Sequence, residues 1–232
     1  MTTLLAILSI RKHNWLGAAL CIGVLALKPN WILFFILWLT LERHFRLVLY
    51  LACVGLLLLL STLFMGPQIW SDFFVSAKGY SILIAETYQV DSLVTNHSFV
   101  RGLGLRDTPL FWPVWALLQG AAFLGALTVW RSRRSVTAKV GLLMLVTIAC
   151  NSYINFYDLL LLTVPSIVWW FERKDYRTDL WWIIAALLTA TWLWGWMRVY
   201  GIHGSTISPI GCLLTLWIVV EAINTRWLAV KA

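Results

Sequence analysis

Long apolar runs alternate with short polar interruptions along this chain, and two of the runs are broken in the middle. Residues 15–41 are apolar except at Lys28-Pro29-Asn30, and residues 140–171 are apolar except over 151–158, which read Asn-Ser-Tyr-Ile-Asn-Phe-Tyr-Asp. The half-segments are roughly 11 to 13 residues long and span about 17 to 20 Å as helix, short of the ~30 Å hydrocarbon core of a bilayer. Four runs without such a break, 47–65, 110–130, 180–197 and 209–224, have the length and composition of ordinary membrane helices. Gly66-Pro67 ends the first of these, and residues 66–108 form a long connection. Within it Trp70, Phe73, Phe74, Ala77, Tyr80, Ile84 and Tyr88 recur at helical spacing, which predicts an amphipathic helix lying in the membrane interface.

Charge fixes the orientation. Arg11-Lys12-His13 precedes the first broken stretch and Glu42-Arg43-His44-Phe45-Arg46 follows it; Arg131 to Lys139 and Glu172-Arg173-Lys174 flank the second. Basic flanks favour the cytoplasmic side, so both ends of each broken stretch are expected on that side. Each stretch then reads as two short helices that enter and return. A re-entrant pair and a pair of slightly short complete spans joined by a tight turn both satisfy this pattern. The resulting topology places 13 Lys and Arg on the cytoplasmic side, four outside (Lys78, Arg101, Arg106, Arg198) and Lys28 within the first pair. Residues 66–108 and 198–208 are then external loops and the C-terminus is cytoplasmic. The order of broken pair, outward helix, external loop and inward helix occurs twice, without residue-level repetition.

Composition agrees. With 61% hydrophobic and 12% charged residues in 232, and a mean hydropathy of +0.81, the expected fold is all-α: one polytopic transmembrane helical bundle over residues 1–232. The net charge of +8 lies at segment ends, which assigns it to membrane orientation and not to nucleic acid. Many of the 16 Trp also lie at segment ends, as expected of interfacial belts. The four Cys all fall in apolar runs without metal-ligand spacing, so they read as small buried apolar residues, and neither a metal nor a cofactor is expected. Glu221, near the inner end of the last helix, reads as a snorkelling charge.

Polar breaks at membrane depth are costly unless they line a cavity or water, which makes them functional candidates. Lys28 precedes a proline that frees a backbone carbonyl, and its ammonium suits an anionic group such as a phosphate. Asp158 opens the second half-helix, where a carboxylate caps amides or acts in catalysis. In the external loop, residues 95–106 combine Asn96, His97, Arg101 and Arg106 with Gly102 and Gly104, a set suited to a sugar or a phosphate.

Four segments in order resemble glycosyltransferase family 87 of the GT-C superfamily. Residues 17–30, with Leu27-Lys28-Pro29, resemble the family's "G…G…LKPQ"; Gly66-Pro67-Gln68-Ile69-Trp70 resembles "GPxxW"; Asn96-His97-Ser98 resembles "NQS"; and residues 153–165 resemble "PYxxxYDLxLLxxP". His97 replaces the Gln, and Asn151-Ser152 stands where Ser/Thr-Pro is expected. The resemblance implies a hexosyltransferase of a bacterial plasma membrane that moves a hexose, mannose first among them, from a polyprenyl-phosphate donor to a glycan or lipid acceptor on the outer face. It would set Lys28 near the donor phosphate, Asn96, His97 and Arg101 near sugar or acceptor, and Asp158 as the active-site carboxylate at the rim. The family's presumed catalytic Asp lies in an N-terminal half, so this chain is expected to be its C-terminal part, with residues 1–10 as the tail of a preceding helix. Two other readings fit the broken helices: a transporter or flippase component, and a non-catalytic partner of a separate N-terminal half.

Overall fold

A computed structural model of the chain describes residues 2–25, 29–66, 68–87, 94–151, 156–200 and 208–231. The described residues form 11 α-helices with two short 3-10 turns. Four of the helices are long and apolar enough to cross a membrane. The chain divides into two compact units, Met1–Gln89 and Val90–Ala232.

The first unit holds α1 (Thr2–Arg11), α2 (Trp15–Leu25), α3 (Pro29–Leu41), α4 (Phe45–Leu63) and α5 (Gln68–Thr87). Pro29 opens α3, where its missing N–H costs nothing. The same turn joins α1 to α2 and α3 to α4. Asn14 N–H donates to the Ser9 carbonyl at 2.8 Å and His44 N–H to the Leu39 carbonyl at 2.9 Å. His13 and Arg43 take the left-handed position with φ of 54° and 58°. This satisfies orphan carbonyls at each helix end, at a cost of about 1 kcal/mol for placing a Cβ there. The two turns lie side by side: the Trp15 ring is 5.7 Å from His44, and Trp38 is 6.5 Å from it. Both ends of the first broken stretch therefore meet. Phe35, Trp38, Leu39, Ile22 and Leu47 are fully buried in this unit. Along α4 a row from Leu56 to Leu60 is exposed, as a lipid-facing surface requires. α5 occupies the predicted amphipathic segment, and Trp70 Nε1 ties it to Thr62 Oγ1 at 3.1 Å.

The second unit contains α6 (Asn96–Gly102), α7 (Phe111–Trp130), α8 (Val136–Cys150), α9 (Thr163–Glu172), α10 (Thr178–Val199) and α11 (Ile210–Lys231). α8 is central: every residue from Ala138 to Ala149 is buried, against α7, α9 and α11. Such a helix has no polar face and belongs inside a bundle. Gly125 lets α7 approach α11 until its missing Cβ would lie 3.3 Å from the Ile218 carbonyl oxygen. α8 stops at Asn151, whose ψ of 154° is extended, and the chain resumes as a 3-10 turn over Phe156–Leu162 before α9. The ends of this broken stretch also meet, because Arg134 Nη2 donates to Glu172 Oε2 at 2.8 Å and Ser135 Oγ to Glu172 Oε1 at 2.5 Å.

Three expectations change. Cys53 is exposed on α4, and Cys21, Cys150 and Cys212 are only half-buried, because lipid-facing positions are as apolar as buried ones in a membrane protein. Trp130 and Trp169, which lie at segment ends, are buried and not belt residues. Glu221 does not snorkel: Tyr176 Oη and Trp217 Nε1 both donate to its Oε1.

Candidate functional site

Residues 95–102 of the 95–106 segment are a capped helix, and the exposed turn that carries Gly104 and Arg106 follows it. Thr95 Oγ1 accepts from Ser98 N–H at 3.3 Å and Ser98 Oγ from Thr95 N–H at 2.9 Å, a reciprocal cap on a helix of 7 residues. The buried face of α6 is largely polar: Asn96, Ser98 and the cap Thr95 are each no more than 1% exposed, beside the apolar Val100. Polar groups buried this way must be bonded.

Asn96 anchors them. Thr215 Oγ1 on α11 donates to Asn96 Oδ1 at 3.0 Å, and Asn96 Nδ2 donates to Gln119 Oε1 on α7 at 3.4 Å. Gln119 Nε2 in turn donates to the Cys150 carbonyl at 3.0 Å. That carbonyl sits in the last turn of α8 and lacks an intrahelical partner, so Gln119 satisfies an acceptor released by the helix break. Four helices are thereby tied together. Gly211 permits the closest approach: a Cβ there would lie 2.3 Å from the Thr95 carbonyl carbon and 2.4 Å from the Asn96 nitrogen.

His97 follows Asn96 and stands at the start of α7, its ring 5.4 Å from Phe111 in an edge-on contact. It is half-buried, and its Nδ1 is enclosed without a hydrogen-bond partner. Burial first, then the charges of Arg101 and Arg106, lower its pKa below the ordinary 6.5. The imidazole is therefore neutral at pH 7. Arg101 is half-buried and Arg106 exposed.

Asp158 lies in the first turn of the 3-10 segment and is 6% exposed. Its neighbour Leu159 is also buried and approaches α10 at Gly195, where a Cβ would be 3.7 Å from Leu159 Cδ1. Lys28 lies outside the described residues, so the structure places Asn96, His97 and Arg101 together on α6 and gives Asp158 its own buried position after the break. Asp72 and Asp107 are exposed. Among the described residues no group of three or more His, Cys, Asp or Glu could hold a metal ion.

Sequence reasoning missed Gln119, Thr215 and Gly211. Gln119 carried a readable signal, an amide inside an apolar run. Thr215 and Gly211 carried none, because Thr and Gly are common in membrane helices.

The model of glycosyltransferase family 87 matches residues 1–152. The chain belongs to glycosyltransferase family 87. It is a membrane glycosyltransferase of a GT-C hexosyltransferase family. No curated protein and no solved structure matches it significantly. Within the glycosyltransferase match lie Leu27-Lys28-Pro29, Gly66-Pro67-Gln68-Ile69-Trp70 and Asn96-His97-Ser98; residues 153–165, which include Asp158, follow it.

Proposed function

We propose that this glycosyltransferase moves a hexose, mannose first among them, from a polyprenyl-phosphate sugar to a glycan or lipid acceptor on the outer face. In this reading residues 1–232 form one membrane domain, and the two broken stretches enter from the cytoplasmic side and return to it. Residues 66–108 are external, α5 lies in the interface and the C-terminus is cytoplasmic. The observation that supports the reading is the separation of two cationic groups along α7. Two cations, Arg101 and Arg106, gather beside the neutral His97 at its Phe111 end, while three, Arg131, Arg133 and Arg134, gather at its Trp130 end. A helix of that length holds them roughly 30 Å apart, and the denser cluster marks the cytoplasmic side.

Transfer breaks the bond between the sugar's anomeric carbon and the phosphate oxygen and forms one to the acceptor oxygen. The leaving phosphate needs a cation and the acceptor hydroxyl needs a base. By the family resemblance Lys28 is the proposed ligand of the donor phosphate; in the second unit Arg101 and the neutral His97 are proposed to meet the sugar or acceptor, and Asp158 is the proposed carboxylate at the rim. Asn96 acts on the substrate through α6: with both ends of its amide bonded inside the protein, it positions His97 and Arg101. The test is incubation of membranes containing the protein with radiolabelled polyprenyl-phosphate-mannose. Label in a lipid or glycan product is expected. Failure with this donor and with other hexose donors, together with substrate flux in proteoliposomes, would replace the reading by a carrier.

A further inference from the structure

At the opposite end of the second unit from His97, an open cleft of about 750 Å³ lies between the α7–α8 turn, the end of α9 and the last turns of α11. Arg131, Arg133, Arg134 and Lys174 contribute four cations to its lining, against the carboxylates of Glu172 and Asp175. Glu172 is already engaged by Arg134 and Ser135, which leaves the exposed Arg131, Arg133 and Lys174 in excess over Asp175.

Two further observations point inward. Thr225, 5% exposed, lines the cleft with its Oγ1 buried and without a partner, and Arg134 Nε is likewise buried and unpartnered. A buried hydroxyl or guanidinium N–H left unbonded costs free energy that a ligand oxygen would recover. Two donors, three exposed cations and a cleft of this volume match a phosphate group, whose oxygens accept from several donors at once. The rim is apolar: Phe171, 75% exposed, and Leu228 line the same cleft.

We infer that this cleft is a binding site for a phosphate-bearing anion, separate from the sugar-transfer site. The apolar rim suits a phospholipid, whose headgroup would occupy the cleft while its chains lie along Phe171 and Leu228; a soluble phosphate shares the headgroup chemistry. The inference stands on the residues of the cleft alone and does not depend on the donor or the acceptor.

The full chain is purified in an uncharged detergent, and retained lipid is counted by native mass spectrometry after exposure to mixed micelles of phosphatidylglycerol and phosphatidylcholine. Retention of phosphatidylglycerol over phosphatidylcholine is expected, with a loss of roughly tenfold or more in apparent affinity in the double variant Arg131→Gln/Arg133→Gln. Helical circular dichroism confirms that the variant is folded, and Lys174→Gln provides an independent reduction from α9's side of the cleft. A second arm adds inorganic phosphate alone: a rise in melting temperature that the double variant lacks assigns the site to soluble phosphate, and no rise with retained lipid assigns it to the headgroup. Equal retention of the two lipids with no response to phosphate overturns the inference, as does a folded double variant that behaves like the wild type in both arms.

Discussion

The two broken stretches close on themselves by different means. In the first, the ends are joined by rings: Trp15 against His44, His44 against Trp38, with His13 edge-on to Trp15 at 5.4 Å. The neighbouring cations, Lys12, Arg43 and Arg46, remain exposed. In the second, a cation is drawn into the closure itself, with Arg134 only 10% and Glu172 only 19% exposed. Ring contacts are weakly directional and share the load, so losing one removes a fraction of the closure. A largely buried ion pair is different, because removing one partner strands the other. The first closure is expected to weaken gradually and the second to fail abruptly.

The comparison can be broken at its strongest point. Glu172→Ala leaves Arg134 uncompensated and should cost about 3 kcal/mol, a fall of several degrees in the melting temperature of the detergent-solubilised protein. Salt should do little to the wild type here, since enclosed pairs are weakly screened. A small loss that added salt reproduces would show the pair to be an ordinary surface bridge.

Gly211→Ala tests what the second unit has and the first lacks, the seated α6. A Cβ less than 2.5 Å from backbone atoms of Thr95 and Asn96 forces α11 or α6 to move. The expected cost is about 2 kcal/mol, with sugar transfer falling further than stability because His97 and Arg101 shift with the helix. Transfer at the wild-type rate would detach α6 from the chemistry.

At the ring closure, His44→Ala removes two aromatic contacts and should cost only about 1 kcal/mol. A loss as large as that of Glu172→Ala would abolish the distinction between the two closures.

The smallest effect is a pH dependence. His97 has its pKa lowered in the folded protein, so below 6.5 the unfolded chain binds more protons and stability falls until the folded pKa is passed. His97→Gln should leave the melting temperature near neutral pH little changed and flatten its decline between pH 6.5 and the lower folded value. An unchanged acid limb would place the titration elsewhere.

The second break was legible because Asn, Ser and Asp interrupt a run that is otherwise apolar, and helix α8 does end at Asn151. The meeting of the stretch ends was legible as charge of one sign at both flanks, although the Arg134–Glu172 pair was not singled out, since charge counting treats acidic residues as nearly silent. α6 was not distinguished within the 66–108 connection because Thr95, Asn96 and Ser98 dominate its inward face. Polarity signals solvent in a soluble protein, but where membrane helices pack it also marks bonded interior, and sequence pattern does not separate the two cases. Gly211 was illegible for a simpler reason: a missing Cβ matters only through what lies opposite it.

The hydrogen bond between Asn96 and Thr215 also sets an order of events in the making of the protein. Its partners are 119 residues apart, and at a synthesis rate of about 5–20 residues per second roughly 6 to 24 seconds separate their appearance. Through that interval Asn96 lacks its Thr215 partner and α6 has no α11 to rest on. The segment that carries His97 and Arg101 is thus emitted early and locked late, so a nascent chain has its early helices well before α6 is seated.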